Sequence, residues 1–214
     1  LREWGKALRN ESRFDESLRV HGEGLKQAES LGDTLEWVQA LNYIGTDYRR
    51  LGVLDAAQEY HYRALKLCEA CTDTSFTAKK NRVKSLNGLG NIYLTLGNYE
   101  RADSAFRLAL AGERALDSAV GQAINYANLG SIFKHRRQND SAWVYYRRSM
   151  ELNQKAGNDI GIALCHTYYG LLYEETQQYD KAYAEYRTAY GLMEVSKDEW
   201  HALESLIALA HIDY

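Results

Sequence analysis

Residues able to do chemistry are few in this chain and poorly placed for it. Cys68 and Cys71 form a CxxC, but zinc needs about four ligands and no second pair exists. The two thiols read as ordinary side chains near a helix end, with a local disulfide or redox pair as the alternative. Cys165 and His166 are adjacent, so on a helix they point apart and cannot pair as nucleophile and base. Gly88-Leu-Gly90 and Gly22-Glu-Gly24 each lack the third glycine and the preceding strand of a dinucleotide-binding turn. Glu174 and Glu175 are neighbours without a partner that spacing can show. The basic run Lys134 to Arg137 closes a helix, where positive charge complements the dipole. The reading is a protein that is not an enzyme, with no metal site and no cofactor.

Composition narrows the class. The chain has 214 residues, 45% of them apolar, and a formal net charge of −3. No basic field argues for nucleic acid, and no apolar run is long enough to span a membrane. Three cysteines, an odd count, are not a disulfide framework. Proline is absent, whereas there are 16 glycines. That combination favours helices joined by short glycine, asparagine or aspartate corners. Because the chain opens on Leu1, it reads as a piece of something longer, and the compartment stays open. The cytoplasm is favoured, with the periplasm as the alternative for a membrane-anchored sensor.

The elements that would position any site come from a repeat. With Gly90 as an anchor, Leu86 lies four residues before and Tyr93 three after. The frame recurs at Gly5, Gly45, Gly130 and Gly170, and at Ala210, with spacings of 40, 45, 40, 40 and 40. The longer step holds an insertion near "CTDTSFTAKK". Twelve residues after each anchor stands a small residue: Ser17, Ala57, Ala102, Ala142, Ala182. Four further on comes a ring: His21, His61, Phe106, Tyr146, Tyr186. Steps of three and four place these on one helical face. Each repeat is therefore an antiparallel hairpin of helices A and B, and the anchor glycine lets the two backbones approach. His21 and His61 then read as packed rings. Gly97 ends helix A as a cap, whereas Gly88, present in one repeat only, is assigned to an open groove. Gly32 and Gly157 suit the cap after helix B, and Asp33, Asp159 and Asp198 suit the N-cap of the next helix A.

The order Leu86, Leu89-Gly90, Tyr93, Gly97, Tyr99, Ala102, Phe106, Ala109 resembles the tetratricopeptide repeat. The usual form has 34 residues and a closing proline; here the period is 40 and proline is missing. Long repeats of this kind are similar to those of kinesin light chains and of bacterial, Bacteroidetes-like sensor and regulator proteins. The resemblance implies an all-α fold, a right-handed α-α superhelix of antiparallel hairpins. It would be a single array over 1–214, with repeats near 1–33, 34–73, 74–118, 119–158 and 159–198 and a terminal A helix at 199–214.

In such an array neighbouring hairpins complete one another's core and leave a concave side. Family geometry points six positions of helix A into it. Of these, Gln39, Asn42, Tyr43, Thr46, Arg49, Arg50, Lys84, Asn87, Asn91, Asn128, Ser131, Lys134, Tyr168, Glu174 and Glu175 are the candidate ligand-binding residues. Asn42, Asn87, Asn91 and Asn128 would form a string of amides able to bond an extended backbone. Arg49, Arg50 and Lys84 make one end basic, and Glu174 and Glu175 make the other acidic. The chaperone-binding members' basic clamp is missing, since Leu164 and Tyr168 stand where its later cations would be. The resemblance thus implies a non-catalytic scaffold whose partner is a protein or peptide segment. The alternative is the sensory domain of a larger bacterial signalling or transcription regulator with an output domain beyond the C-terminus. Leu206 and Leu209, on a last A helix without its B partner, leave room for such a continuation.

Overall fold

Each A helix has to end where helix B can turn back, and a left-handed residue seven positions after the anchor makes that corner. In the computed structural model, which describes residues 1–196 and 199–212, this position has φ of 60° at Ser12, 77° at Gly52, 72° at Gly97, 57° at Arg137 and 58° at Gln177. Glycine adopts that conformation without the roughly 1 kcal/mol penalty of a side-chain-bearing residue. Gln177→Gly is therefore expected to raise the midpoint of thermal unfolding by about 1–4 °C, measured by circular dichroism.

All regular structure among the described residues is helical. Inter-residue contacts divide the chain into two compact units, Leu1–Leu116 and Asp117–Tyr214. The N-terminal unit holds α1 (Arg2–Asn10), α2 (Phe14–Leu31), α3 (Thr34–Arg50), α4 (Leu54–Ala70), α5 (Phe76–Thr95) and α6 (Tyr99–Ala115). The C-terminal unit holds α7 (Ala119–His135), α8 (Asn139–Ala156), α9 (Asp159–Glu175), α10 (Tyr179–Ser196) and α11 (Glu199–Ile212). Odd-numbered helices are A helices and even-numbered ones B helices. Within each unit successive helices pack as hairpins, and α3 also meets α5 and α7 meets α9.

The helix starts follow local chemistry. Asp33 caps α3 by accepting a hydrogen bond from the Glu36 backbone N–H at 3.0 Å. Ser75 does the same for α5, taking the N–H of Ala78 at 3.2 Å, which gives the inserted segment its end. Asp159 is the first residue inside α9, and the N-cap is Asn158, one residue earlier than the sequence reading. Asp198 lies outside the described residues.

The hairpins close on the anchor glycines. A Cβ at Gly90 would lie 2.5 Å from the Phe106 ring, one at Gly130 2.6 Å from Tyr146 and one at Gly170 2.4 Å from Tyr186. Phe106, Tyr146 and Tyr186 are fully buried, as are Ala57, Ala102, Ala142 and Ala182 beside them. Gly5 and Gly45 take the imidazoles of His21 and His61 in the same way.

Gly88 makes a contact between repeats. It receives the ring of His61 from the preceding repeat, and a Cβ there would lie 2.4 Å from that imidazole. His61 is thus held between Gly45 of its own hairpin and Gly88 of the next. The position two before the anchor is where one repeat meets the ring of the repeat before it. Tyr43 stacks on His21 there with centroids 5.0 Å apart, and Tyr168 stacks on Tyr146 at 4.9 Å.

Candidate functional site

The A helices of the N-terminal unit share one open pocket of about 260 Å³. Asn42, Tyr43, Thr46 and Arg49 reach it from α3, and Lys84, Asn87 and Asn91 from α5. Arg9 of α1, His61 and Gly88 complete its walls. Arg9 stands four residues after Gly5, as Arg49 stands four after Gly45, so the repeat register held the signal that would have found it.

These side chains have unequal freedom. Asn42 is buried and bonded within the fold. Its Nδ2 donates to the Asn81 carbonyl at 3.2 Å, and its Oδ1 accepts from Ser85 Oγ at 3.0 Å and lies 3.0 Å from His61 Nδ1. Gln39 is also buried and accepts from Arg2 at 2.7 Å. Tyr43 is the floor, 7% exposed. Around its ring stand the Lys6 and Lys84 ammonium nitrogens, each 5.3 Å from the centroid, and the Arg9 guanidinium at 5.7 Å. Arg49 is half-buried, and burial first, then the charges of Arg50 and Arg9, hold its pKa below the ordinary guanidinium value. The pocket edge is left with Arg49, Lys84, Asn87 and Asn91.

Below this pocket lies a buried polar cluster that single-position reading missed. Asp47 stands two residues after its anchor, where the later repeats have Ile92, Ile132 and Leu172. It is fully buried. His21 Nδ1 lies 2.6 Å from Asp47 Oδ2, Ser17 Oγ donates to the same oxygen at 3.0 Å, and Arg9 donates to Oδ1 at 3.2 Å. Three polar departures from the repeat (Ser17, His21 and Asp47) have found one another. A serine, a histidine and an aspartate here do not make a nucleophilic triad. Such a relay needs the serine on one ring nitrogen and the carboxylate on the other, whereas both groups crowd Nδ1. Nε2 is packed on Gly5.

In the C-terminal unit several predicted residues are bonded within the fold. Ser131 Oγ lies 3.2 Å from Tyr146 Oη, the Tyr186 hydroxyl donates to Glu174 at 2.7 Å, and Lys134 pairs with Glu175 at 3.4 Å. Asn128 and Tyr168 are half-buried on the same helices. A larger cavity, about 480 Å³, opens between α1, α2 and α3 near Trp4 and Leu31. Its charges are met locally, with Arg2 on Glu3 at 3.0 Å and on Glu36 at 3.4 Å. Cys68, Cys71 and Cys165 are free thiols, and burial pushes Cys68 up to about 11, away from the reactive thiolate. Among the described residues no group of three or more His, Cys, Asp or Glu could hold a metal. Among them too, no helix is long and apolar enough to cross a membrane.

The glycine-notched hairpins, the ring that follows and the left-handed corner belong to a known pattern, and residues 38–115 match the family model of the tetratricopeptide repeat. Residues 38–115 carry tetratricopeptide repeats. No curated protein matches it in sequence. Solved tetratricopeptide-like structures match its fold. BtubC from P. vanneervenii is 16% identical with a TM-score of 0.66, covering 94% of this chain and 91% of its own. A signal transduction ATPase with a tetratricopeptide repeat sensor, from Pyrococcus horikoshii, is 15% identical with a TM-score of 0.73, covering 97% of this chain and 31% of its own. A Rap protein complexed with competence and sporulation factor is 13% identical with a TM-score of 0.70, covering 98% and 61%. At these identities the likeness is one of fold.

Proposed function

We propose that the protein is a non-catalytic scaffold that binds a protein or peptide segment on the A-helix face, with its main contact in the pocket of the N-terminal unit. One observation supports this reading: cations and amides from successive A helices converge on an open pocket, and the side chains of Arg49, Lys84, Asn87 and Asn91 make no hydrogen bond or ion pair among the described residues. Amides serve an extended backbone because each offers a donor and an acceptor. The repeat family and the Rap complex lend support by analogy of fold.

The double variant Asn87→Ala/Asn91→Ala tests it. Peptides selected against the wild type from a displayed library are expected to lose about tenfold or more in affinity by calorimetry, roughly the worth of one or two hydrogen bonds. The thermal midpoint should move by less than about 2 °C. Selected peptides that bind the variant as well as the wild type would place recognition elsewhere.

A sensory role in a longer regulator is the second reading. It is favoured by the Rap and ATPase-sensor neighbours, each of which matches nearly all of this chain with only part of its own. An output domain encoded after Tyr214 would support it, and a stop codon there would remove it.

A further inference from the structure

The pocket at the A-helix face of the N-terminal unit has more positive charge than its own acids balance. Arg9 has a carboxylate, Asp47 at 3.2 Å, but Asp47 also lies against His21 and accepts from Ser17. Lys6, at the edge, is answered by Glu3 at 2.9 Å. Arg49 and Lys84 are left. Lys84 lies over the Tyr43 ring, and α5, which carries it, has four basic residues and no acidic one. The charges that act on Arg49 are those of Arg50 and Arg9, both repulsive. Arg49 and Lys84 stand half-buried on the wall of one pocket with no carboxylate on either among the described residues, and partial burial makes an unbalanced charge costlier than it is in water. A bound anion of charge near −2 would offset it.

The rest of the wall says what bears that anion. Asn87 lines the pocket, and its Oδ1 has no donor among the described residues. A buried acceptor left unmet costs about 1–3 kcal/mol. A bare oxyanion has nothing to give it, whereas a backbone N–H does. The site therefore asks for an anion and an amide together. Its volume of about 260 Å³ equals roughly nine waters' share of the liquid, room for a charged side chain and the backbone beside it. A carboxylate would leave one cation unanswered. A phosphate monoester carries about −1.5 to −2 near neutral pH and offers three acceptor oxygens to a guanidinium and an ammonium.

We propose that this pocket binds a phosphorylated side chain of an extended peptide, with Arg49 and Lys84 on the phosphoryl oxygens and Asn87 accepting a backbone N–H. The assignment rests on the peptide-binding reading of the A-helix face and gives it a ligand class. Free phosphate shares the anionic half of the chemistry, so it is the control for the amide half.

The test uses an acetylated, amidated heptapeptide of alanine and glycine with one central phosphoserine. Its counterparts carry central glutamate or central serine, and inorganic phosphate stands alone; binding to the whole chain is read by calorimetry and by NMR. The phosphoserine peptide is expected to bind about tenfold or more tightly than either the glutamate peptide or inorganic phosphate. Arg49→Gln and Lys84→Gln should each weaken it by about tenfold, whereas Lys155→Gln, an exposed site in the C-terminal unit, should leave it unchanged. Circular dichroism checks that each variant folds, and either cation variant suffices if the other does not. Equal affinity for the glutamate peptide, equal affinity for free phosphate, or equal loss in Lys155→Gln would each overturn the assignment. If library-selected peptides still bind the pocket while the phosphoserine peptide does not, this inference falls and the peptide-binding reading stands. If neither binds, both fall.

Discussion

Replacing Gly90 with alanine is expected to destabilise the protein by about 1–3 kcal/mol, although alanine is the better helix former by roughly 1 kcal/mol. The reason is steric. The new methyl carbon would lie 2.5 Å from the Phe106 ring, itself fully buried, so hairpin α5–α6 must open or the ring must leave its rotamer. Gly22 and Gly191 are also helical, but a Cβ there meets nothing within 4 Å. Gly22→Ala and Gly191→Ala should therefore stabilise by up to about 1 kcal/mol. Urea unfolding of the three variants reads the reversal of sign. Adding Phe106→Leu to Gly90→Ala should cost less than the sum of the two single changes, because the smaller side chain makes room. Additive costs would mean that the notch and the ring do not act as a pair.

His61 gives the second large effect, in acid. Its pKa is pushed from 6.5 down to about 3, first by burial and then by the Arg49 charge. An unfolded chain takes up this proton as pH falls through 6.5, whereas the folded chain refuses it until about 3. The stability that neutral His61 provides is whole above pH 6.5 and is lost progressively below it, at roughly 1.4 kcal/mol per pH unit. His61→Phe removes that proton from the balance. Phe106 fills the equivalent place against Gly90, so phenylalanine suits the notch, and Asn42 Oδ1 keeps its bond from Ser85 at 3.0 Å. Between pH 7 and pH 4.5 the variant is expected to lose about 2 kcal/mol less than the wild type. Parallel slopes in urea titrations at the two pH values would show that His61 is not the acid-sensitive group.

Both effects depend on features that differ in how far the sequence reveals them. The pairing of Gly90 with Phe106 is legible because both lie in one hairpin, sixteen residues apart in the same register, and helical steps of three and four fix the faces. The corner at anchor plus seven is legible at Gly52 and Gly97 but not at Ser12, Arg137 or Gln177, where side-chain-bearing residues take the same left-handed conformation. Gly88 is legible as a groove residue and lines the pocket, but the His61 ring packed on it comes from the repeat before, which spacing within its own hairpin does not show.

The same division holds at the candidate site. The register places Arg49, Lys84, Asn87 and Asn91 on the A-helix face, and the structure collects them in one pocket. It also spends Asn42 and Gln39 on internal bonds, since which polar group is consumed depends on neighbours from other repeats. Sequence by itself determined the hairpin, its period, its notch and the face each residue occupies, because an α-helix ties spacing to direction. Only tertiary structure decided that His61 lies between Gly45 and Gly88, that Asp47 gathers Ser17, His21 and Arg9, and that Arg49 has no acid beside it among the described residues. Those outcomes follow from how one hairpin is set against the next, a distance and an angle that no spacing along the chain encodes.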